Sequence, residues 1–341
     1  MKKHSLTTID LAKNSFQVCV LDAHNHVTLN KRVKRSQLAQ LVAQQKTGLL
    51  AMEACYSSHY WGRLFTEMGH DVKLIPAQHV KPFVRGNKND HNDALAIAEA
   101  AQRPNIKFVP IKTTEQQDIQ AIHRIRQRIV RQRTGLINQT RGILSEYGII
   151  ANKGIKHFST LLAILSQPEA TEFTGLMKEQ LQLIAQEFQA LTDRLNTLNQ
   201  QLKKIADKNP LCQIVMTLPG IGYITATALI SAVGNGSQFS HAREMSVWLG
   251  VTPKQHASGD RGYLSSISKR GNRYLRSMMV HGARAALYRC KNPQDRLIQW
   301  ARDLAKRRNA NKAAVALANR LTRLAWILLQ KQEPYQVHHG Q

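Results

Sequence analysis

One stretch of the chain repeats with a period that only a long helix, packed along its whole length, can use. Met177, Leu181, Ile184, Phe188, Leu191, Leu195, Leu198, Leu202 and Ile205 follow one another at steps of 4, 3, 4, 3, 4, 3, 4 and 3. Such steps keep the apolar side chains on one stripe, the pattern of a coiled-coil seam. The stripe needs a partner helix, from the same chain or from a second copy. Seams of this kind commonly make dimers, so a homo-oligomer is expected. A looser run upstream (Ile122, Ile125, Ile129, Leu136, Ile143) also fits 3–4 spacing, with Gln132 and Gln139 in the remaining seam positions. A linker around Gln167-Pro168-Glu169 separates the two. Residues 113–207 therefore read as a coiled-coil helical region.

The texture before it is different. LTTID (6–10), SFQVCVLD (15–22) and VTLNKRV (27–33) are rich in β-branched and aromatic residues and predict a three-strand meander. LLAMEA (49–54) predicts a buried strand and VKLIP (72–76) a further short one. Helical spacing appears in HYWGRLFTEMG (59–69) and NDALAIAEAA (92–101). Strands alternating with helices indicate an α/β domain, placed at 1–112. Residues 208–341 predict a third, mainly helical domain broken by Gly and Pro.

Lys and Arg number 48 against 22 Asp and Glu, a formal charge of +26. With 43% hydrophobic residues the chain can still build a core, so the excess charge points to a polyanionic partner, nucleic acid first. The excess concentrates after Asp260. No acidic residue occurs before Asp295, while Arg261, Lys269, Arg270, Arg273, Arg276, Arg284, Arg289 and Lys291 all do. On a helix starting at Asn272, Arg273, Arg276 and Arg284 share one face, as a phosphate-contact surface would require. The four cysteines form no CxxC pair, the N-terminus has no signal-peptide stretch, and the uncharged run 209–240 is broken by Pro219, Gly220, Gly222 and Gly234. These features predict a soluble, cytoplasmic protein with no membrane span. Walker A, HExxH and dinucleotide fingerprints are absent.

Four carboxylates stand out. Asp10 ends the first strand, Glu53 lies in an apolar run, and Asp90 and Asp93 open a helix three residues apart, on one face. Singly, each has a structural alternative: a strand end, a partner for an arginine, a helix N-cap. Together they are a set of hard oxygen ligands suited to Mg²⁺, two ions of which could clamp the attacking and leaving oxygens of a phosphodiester. Lys88 and His91 flank the aspartate pair, either as phosphate contacts or as part of a solvated loop. LPGIG (218–222) resembles the turn of a helix-hairpin-helix, in which Gly220 and Gly222 would expose backbone N–H groups to phosphate; a plain packing hairpin is the other reading. Ser258, in the polar loop HASGD, is a candidate nucleophile, with Ser265, Ser266 and Ser268 as competitors.

The segments IDLAKNSFQVCVLD, AMEACYSSHYWGRLF, VKPFVRGNKNDHNDALAIAEAA, TLPGIGYITATALI, WLGVTPKQHASGDRG and ISKRGNRYLRSMMVHGARAAL occur in this order over nearly the whole chain. They resemble the DEDD transposases of the insertion sequence 110 family, 1111 subgroup, with the Piv-type DNA invertases as relatives. The resemblance implies a ribonuclease-H-like (RuvC-like resolvase) N-terminal domain, a coiled coil and a C-terminal transposase domain. It places Asp10, Glu53, Asp90 and Asp93 on the family carboxylates and Ser258 on the serine of its Ser-Gly motif. It further implies Mg²⁺, a structured noncoding guide RNA that pairs with target and donor DNA, and action as a dimer of dimers. Where the family motif reads Ser-Ser-Gly-Gly, this chain has Ala257-Ser258-Gly259-Asp260. The activity implied is cutting and rejoining of DNA by a serine nucleophile. The alternative is a metal-dependent Holliday-junction-type nuclease that uses water.

Overall fold

The computed structural model describes residues 5–85, 89–150, 152–165, 173–259, 261–290, 292 and 294–337. Lys88, Asp260 and Lys291 lie outside them, and for Arg261 only the backbone is described. The chain forms two compact units, Met1–Gln117 and Asp118–Gln341. The expected boundary at 112/113 lies near the division between them; that at 207/208 falls inside the second.

The first unit is built on five strands: β1 (Leu6–Asp10), β2 (Ser15–Leu21), β3 (Val27–Lys34), β4 (Leu49–Glu53) and β5 (Asp71–Ile75). Their order is β3-β2-β1-β4-β5. β2 runs antiparallel to β1 and β3, while β1, β4 and β5 are parallel. This mixed sheet with its meander is consistent with the ribonuclease-H-like expectation. Both faces are covered, which explains the continuous apolar runs of β2 and β4. On one face Ile9, Val18 and Met52 meet Leu38 and Val42 of α1 (Arg35–Ala43) and Trp61 and Phe65 of α2 (Ser58–Glu67). On the other, Leu6, Cys19 and Ala51 meet α4 (Asp90–Ala101), which follows the short α3 (Ala77–Val80). Five alanines of α4 (Ala94, Ala96, Ala98, Ala100, Ala101) are buried, and the lack of bulk lets the helix come close. Thr8 Oγ1 can then donate to the Ala94 carbonyl at 2.9 Å.

The second unit holds the long helices α5 (Thr114–Glu146, which begins in the first unit) and α7 (Gly175–Lys208), with α6 (Ile155–Leu165) between them. The seam of α7 is filled from within the chain. Ile122, Ile125 and Ile129 cluster with Leu195 and Leu198, Leu136 with Ile184 and Phe188, and Leu144 with Leu181. The order of these contacts makes the pair antiparallel. Arg126 Nε to Asn199 Oδ1 (2.8 Å) and Arg133 to Thr192 Oγ1 (3.5 Å) repeat it in polar form.

The remaining elements share one core: α8 (Pro210–Met216), α9 (Tyr223–Val233), α10 (Ala242–Leu249), α11 (Arg273–Arg289), α12 (Arg296–Arg307) and α13 (Ala310–Lys331). One feature departs from the sequence expectation of helices and polar loops. Residues 253–267 form a hairpin of β6 (Pro253–Ser258) and β7 (Arg261–Ile267). Every residue of β6 is exposed, so no apolar alternation marked it.

Candidate active site

Asp10 and Glu53 come together at the ends of adjacent parallel strands, one step beyond the Ile9–Met52 pair. Neighbouring strands lie about 4.8 Å apart, so the two carboxylates share one end of the sheet. Both residues are half-buried. Their charge is felt at Cys55, whose thiol is pushed up to about 11 by burial first, then by Glu53 and Asp10.

Asn89, not Asp90, caps α4: its side chain accepts from Asn92 N at 2.8 Å. The aspartates are therefore first-turn residues, Asp90 exposed and Asp93 half-buried. A chain of contacts sets this turn over the same end of the sheet. Asp10 pairs with Gln17, whose Nε2 donates to Asn30 Oδ1 at 2.6 Å. Asn30 Nδ2 in turn lies 3.4 Å from His91 Nε2.

Ser258 is carried by the second unit, at the tip of the β6–β7 hairpin. It pairs with Arg261, Gly259 beside it takes φ +54°, and it is exposed. At the foot of the hairpin Ser268 N donates to Thr252 O (2.8 Å) and Lys269 N to Gly250 O (3.1 Å). Ser265 and Ser266 are also exposed, while the Ser268 hydroxyl is buried.

The basic residues divide. Lys269, Arg270, Arg273 and Arg284 are exposed. Arg276 turns inward and donates to the carbonyls of Leu249 (3.1 Å) and Arg270 (2.7 Å), tying the foot of the hairpin to α10 and α11. Arg284 also donates to Asn311 Oδ1 at 3.0 Å.

The glycines of LPGIG divide as well. Gly220 has φ +81°, and a Cβ there would fall on the Gly282 carbonyl of α11. It is held by packing. Gly222 is the N-cap of α9, with no side-chain cap bond and no atom within 4 Å of a built Cβ.

Sequence reasoning passed over His123, which is buried in the second unit. Its Nε2 lies 3.0 Å from Thr227 Oγ1 and its Nδ1 3.0 Å from the Tyr274 hydroxyl. Thr227 Oγ1 donates to the Tyr223 carbonyl at 2.7 Å, so Nε2 donates to Thr227 and Nδ1 accepts from Tyr274. Burial, with Arg126 nearby, lowers the imidazole to about 4 and keeps it neutral. The network joins α5, α9 and the start of α11. A lone histidine in a charged helix gave no sign of it.

Comparisons with known proteins place the chain in a family. The model of the IS110-type DEDD transposases, described as a transposase, matches residues 8–149, and that of the transposase IS116/IS110/IS902 family matches residues 212–299. The transposase for insertion sequence element IS1111A of Coxiella burnetii is 44% identical over 335 residues, covering 98% of this chain and 92% of the relative. The chain belongs to the IS110 family of DEDD transposases. A probable family 20 transposase of Pseudomonas aeruginosa is 42% identical over 96% of this chain and 97% of its own length. The pilin gene-inverting protein of Moraxella bovis is 21% identical over 96% of each.

Transposases of this family cut and rejoin DNA, and the DEDD class uses a divalent metal. The donor set of this transposase fits such an ion in kind, since Asp10 and Glu53 supply two hard carboxylates on adjacent strand ends. Among the described residues no group of three or more His, Cys, Asp or Glu side chains is placed to hold a metal ion. The four carboxylates expected as one ligand set thus do not form a closed cage. Among the described residues no helix is long and apolar enough to cross a membrane.

Proposed function

We propose that this transposase moves its insertion sequence by forming a serine ester with DNA, using Ser258 as nucleophile and the carboxylates Asp10, Glu53, Asp90 and Asp93 as a Mg²⁺ site. The observation that carries this reading is the placement of Asp10 and Glu53 at one end of adjacent central strands, with the acidic first turn of α4 over the same end. Asp10 and Glu53 would hold the ion directly, with water and substrate phosphate as the remaining ligands. When bound, the metal offsets charge that develops on the phosphate oxygens.

Ser258 Oγ bonds to phosphorus as the bond from phosphorus to a deoxyribose oxygen breaks. The serine proton passes to solvent and the leaving oxygen takes one up. One phosphodiester replaces another, so attack by a DNA hydroxyl on the ester rejoins the strand with no ATP. Exposure of Ser258 at a hairpin tip suits approach to a duplex, and a relative named for gene inversion fits a reaction that reseals what it cuts. Lys88, Gly222, Arg261, Lys269, Arg270, Arg273 and Arg284 are assigned to nucleic-acid phosphates, and Arg276 and Gly220 to shaping the surface that carries them. The α5–α7 pair is the coiled-coil domain (113–207), between a RuvC-like domain (1–112) and a transposase domain (208–341) with a helix-hairpin-helix-like turn. A structured guide RNA selects target and donor DNA, and the chain acts as a dimer of dimers.

The test is a trapping assay. The protein, co-expressed with the RNA flanking its element, is incubated with Mg²⁺ and labelled donor and target DNA, denatured, and run beside Ser258→Ala and Asp10→Ala. A covalent adduct absent from both variants is the expected result. Cleavage without an adduct, unchanged in Ser258→Ala, means a hydrolytic nuclease and overturns the nucleophile assignment.

A further inference from the structure

The face of the hairpin that carries Ser258 has a second feature, which the reaction above leaves unused. Successive residues of a strand point to opposite faces, so His256 and Ser258 share one face of β6. His256 pairs with Tyr263 across the ladder, which brings Tyr263 to the same face. The two rings are stacked, with centroids 5.0 Å apart and planes at 15°. Both residues are exposed, Tyr263 at 66%. On the opposite face the neighbouring pair is Ala257 and Gly262. The ring area near the tip is therefore on the serine's side. A cross-strand aromatic pair contributes to hairpin stability, but that role does not require two rings exposed beside a reactive hydroxyl.

We propose that the His256–Tyr263 stack is a binding site for a nucleobase of the DNA beside the phosphate attacked at Ser258, a placement that rests on Ser258 being the nucleophile. Two residues along a strand span about 6.6 Å. Bases follow one another every ~3.4 Å along a strand of DNA, so the stack reaches a base one or two steps from the reacting phosphate. Every base offers a π face, and the platform accepts any of them without reading its edge. Selection of sequence is left to other contacts, while the stack holds the strand beside the cut in a fixed position. Phe, Trp and Tyr make up only 6% of the residues, and Tyr263 is one of them placed where a strand end must be held.

The test is an abasic scan. Full-length transposase with its co-expressed RNA binds oligonucleotides from the element ends that are single-stranded around the cut, each lacking one base, in a Ser258→Ala background that stops chemistry. One position next to the cut, mapped by the trapping assay, should weaken binding about 5- to 150-fold. The added change Tyr263→Ala should abolish that penalty, because the stack is already lost, and Tyr263→Phe should retain it. A scan with no penalty near the cut overturns the platform, as does a penalty that survives Tyr263→Ala. An adduct with no lesion penalty rejects the platform and leaves the serine in place. A lesion penalty without an adduct rejects the serine and, with it, the placement beside a reacting phosphate.

Discussion

Gly220→Ala should destabilise the second unit strongly, although it adds a single methyl group in a turn. Gly220 has φ +81°, where a residue with a Cβ costs about 1–2 kcal/mol. The new Cβ would also fall on the Gly282 carbonyl of α11 and against the Ala286 Cβ. The α8–α9 turn and α11 must then move apart, an overpacking cost of about 1–3 kcal/mol. Together these are about 2–5 kcal/mol, or roughly 4–20 °C in the melting temperature of a unit this size. Calorimetry on the full chain reads it directly. Gly222→Ala is the control: its φ is −96°, nothing lies within 4 Å, and only the weaker cap preference of alanine counts, about 0.5–1 kcal/mol. A Gly220→Ala protein that melts within about 1 °C of the parent but has lost DNA binding would refute the packing argument and restore Gly220 to the phosphate-contact role.

Two further predictions concern titration and charge. His123 is neutral when folded, at about 4, against an ordinary value near 6.5. Between these values the unfolded chain binds the extra proton, so stability rises with pH there; the contribution is full above pH ~6.5 and lost progressively toward pH ~4. Urea unfolding at pH 7 and pH 5 should show a drop that shrinks in His123→Gln; an unchanged drop removes His123 as its source. His59 of the first unit, also lowered to about 4 by burial and then Lys112 and Arg63, acts over the same window and is checked separately with His59→Gln. Cys55 reports on the carboxylate pair, since Glu53 and Asp10 help hold its thiol at about 11. Glu53→Gln should speed its alkylation severalfold at pH 8, and Mg²⁺ should do the same in the parent protein. Peptide mass mapping after brief iodoacetamide treatment measures both, and a Mg²⁺-independent rate would argue against an ion between Asp10 and Glu53.

The sheet was legible because burial on both faces forces runs of apolar and β-branched residues, and LTTID, SFQVCVL and LLAME carry them openly. The strand-end placement of Asp10 and Glu53 was legible for the opposite reason: polar groups at the ends of such runs need an explanation. The partner of the α7 seam was not, because a heptad pattern fixes a stripe and leaves its occupant open; α5 fills it with a broken run in which Gln and Arg alternate with Ile. The hairpin was hidden because PKQHAS buries nothing and so has no apolar period. Arg276 shows a further limit. A helical wheel puts it with Arg273 and Arg284, but two carbonyls within reach turn its guanidinium inward.

The full exposure of the first strand of the hairpin has a consequence for how the enzyme can change. A strand whose six residues are all exposed, in a two-stranded ribbon, adds little to the free energy of folding, and so constrains few of its own residues. Substitutions along β6 are thus nearly silent in a melting experiment while they reshape the surface that meets DNA. The part of the molecule closest to its proposed chemistry is the part that variation can explore with least risk to the fold. The foot at Gly250 and Arg276, where backbone and guanidinium interlock, sets the point beyond which that freedom ends.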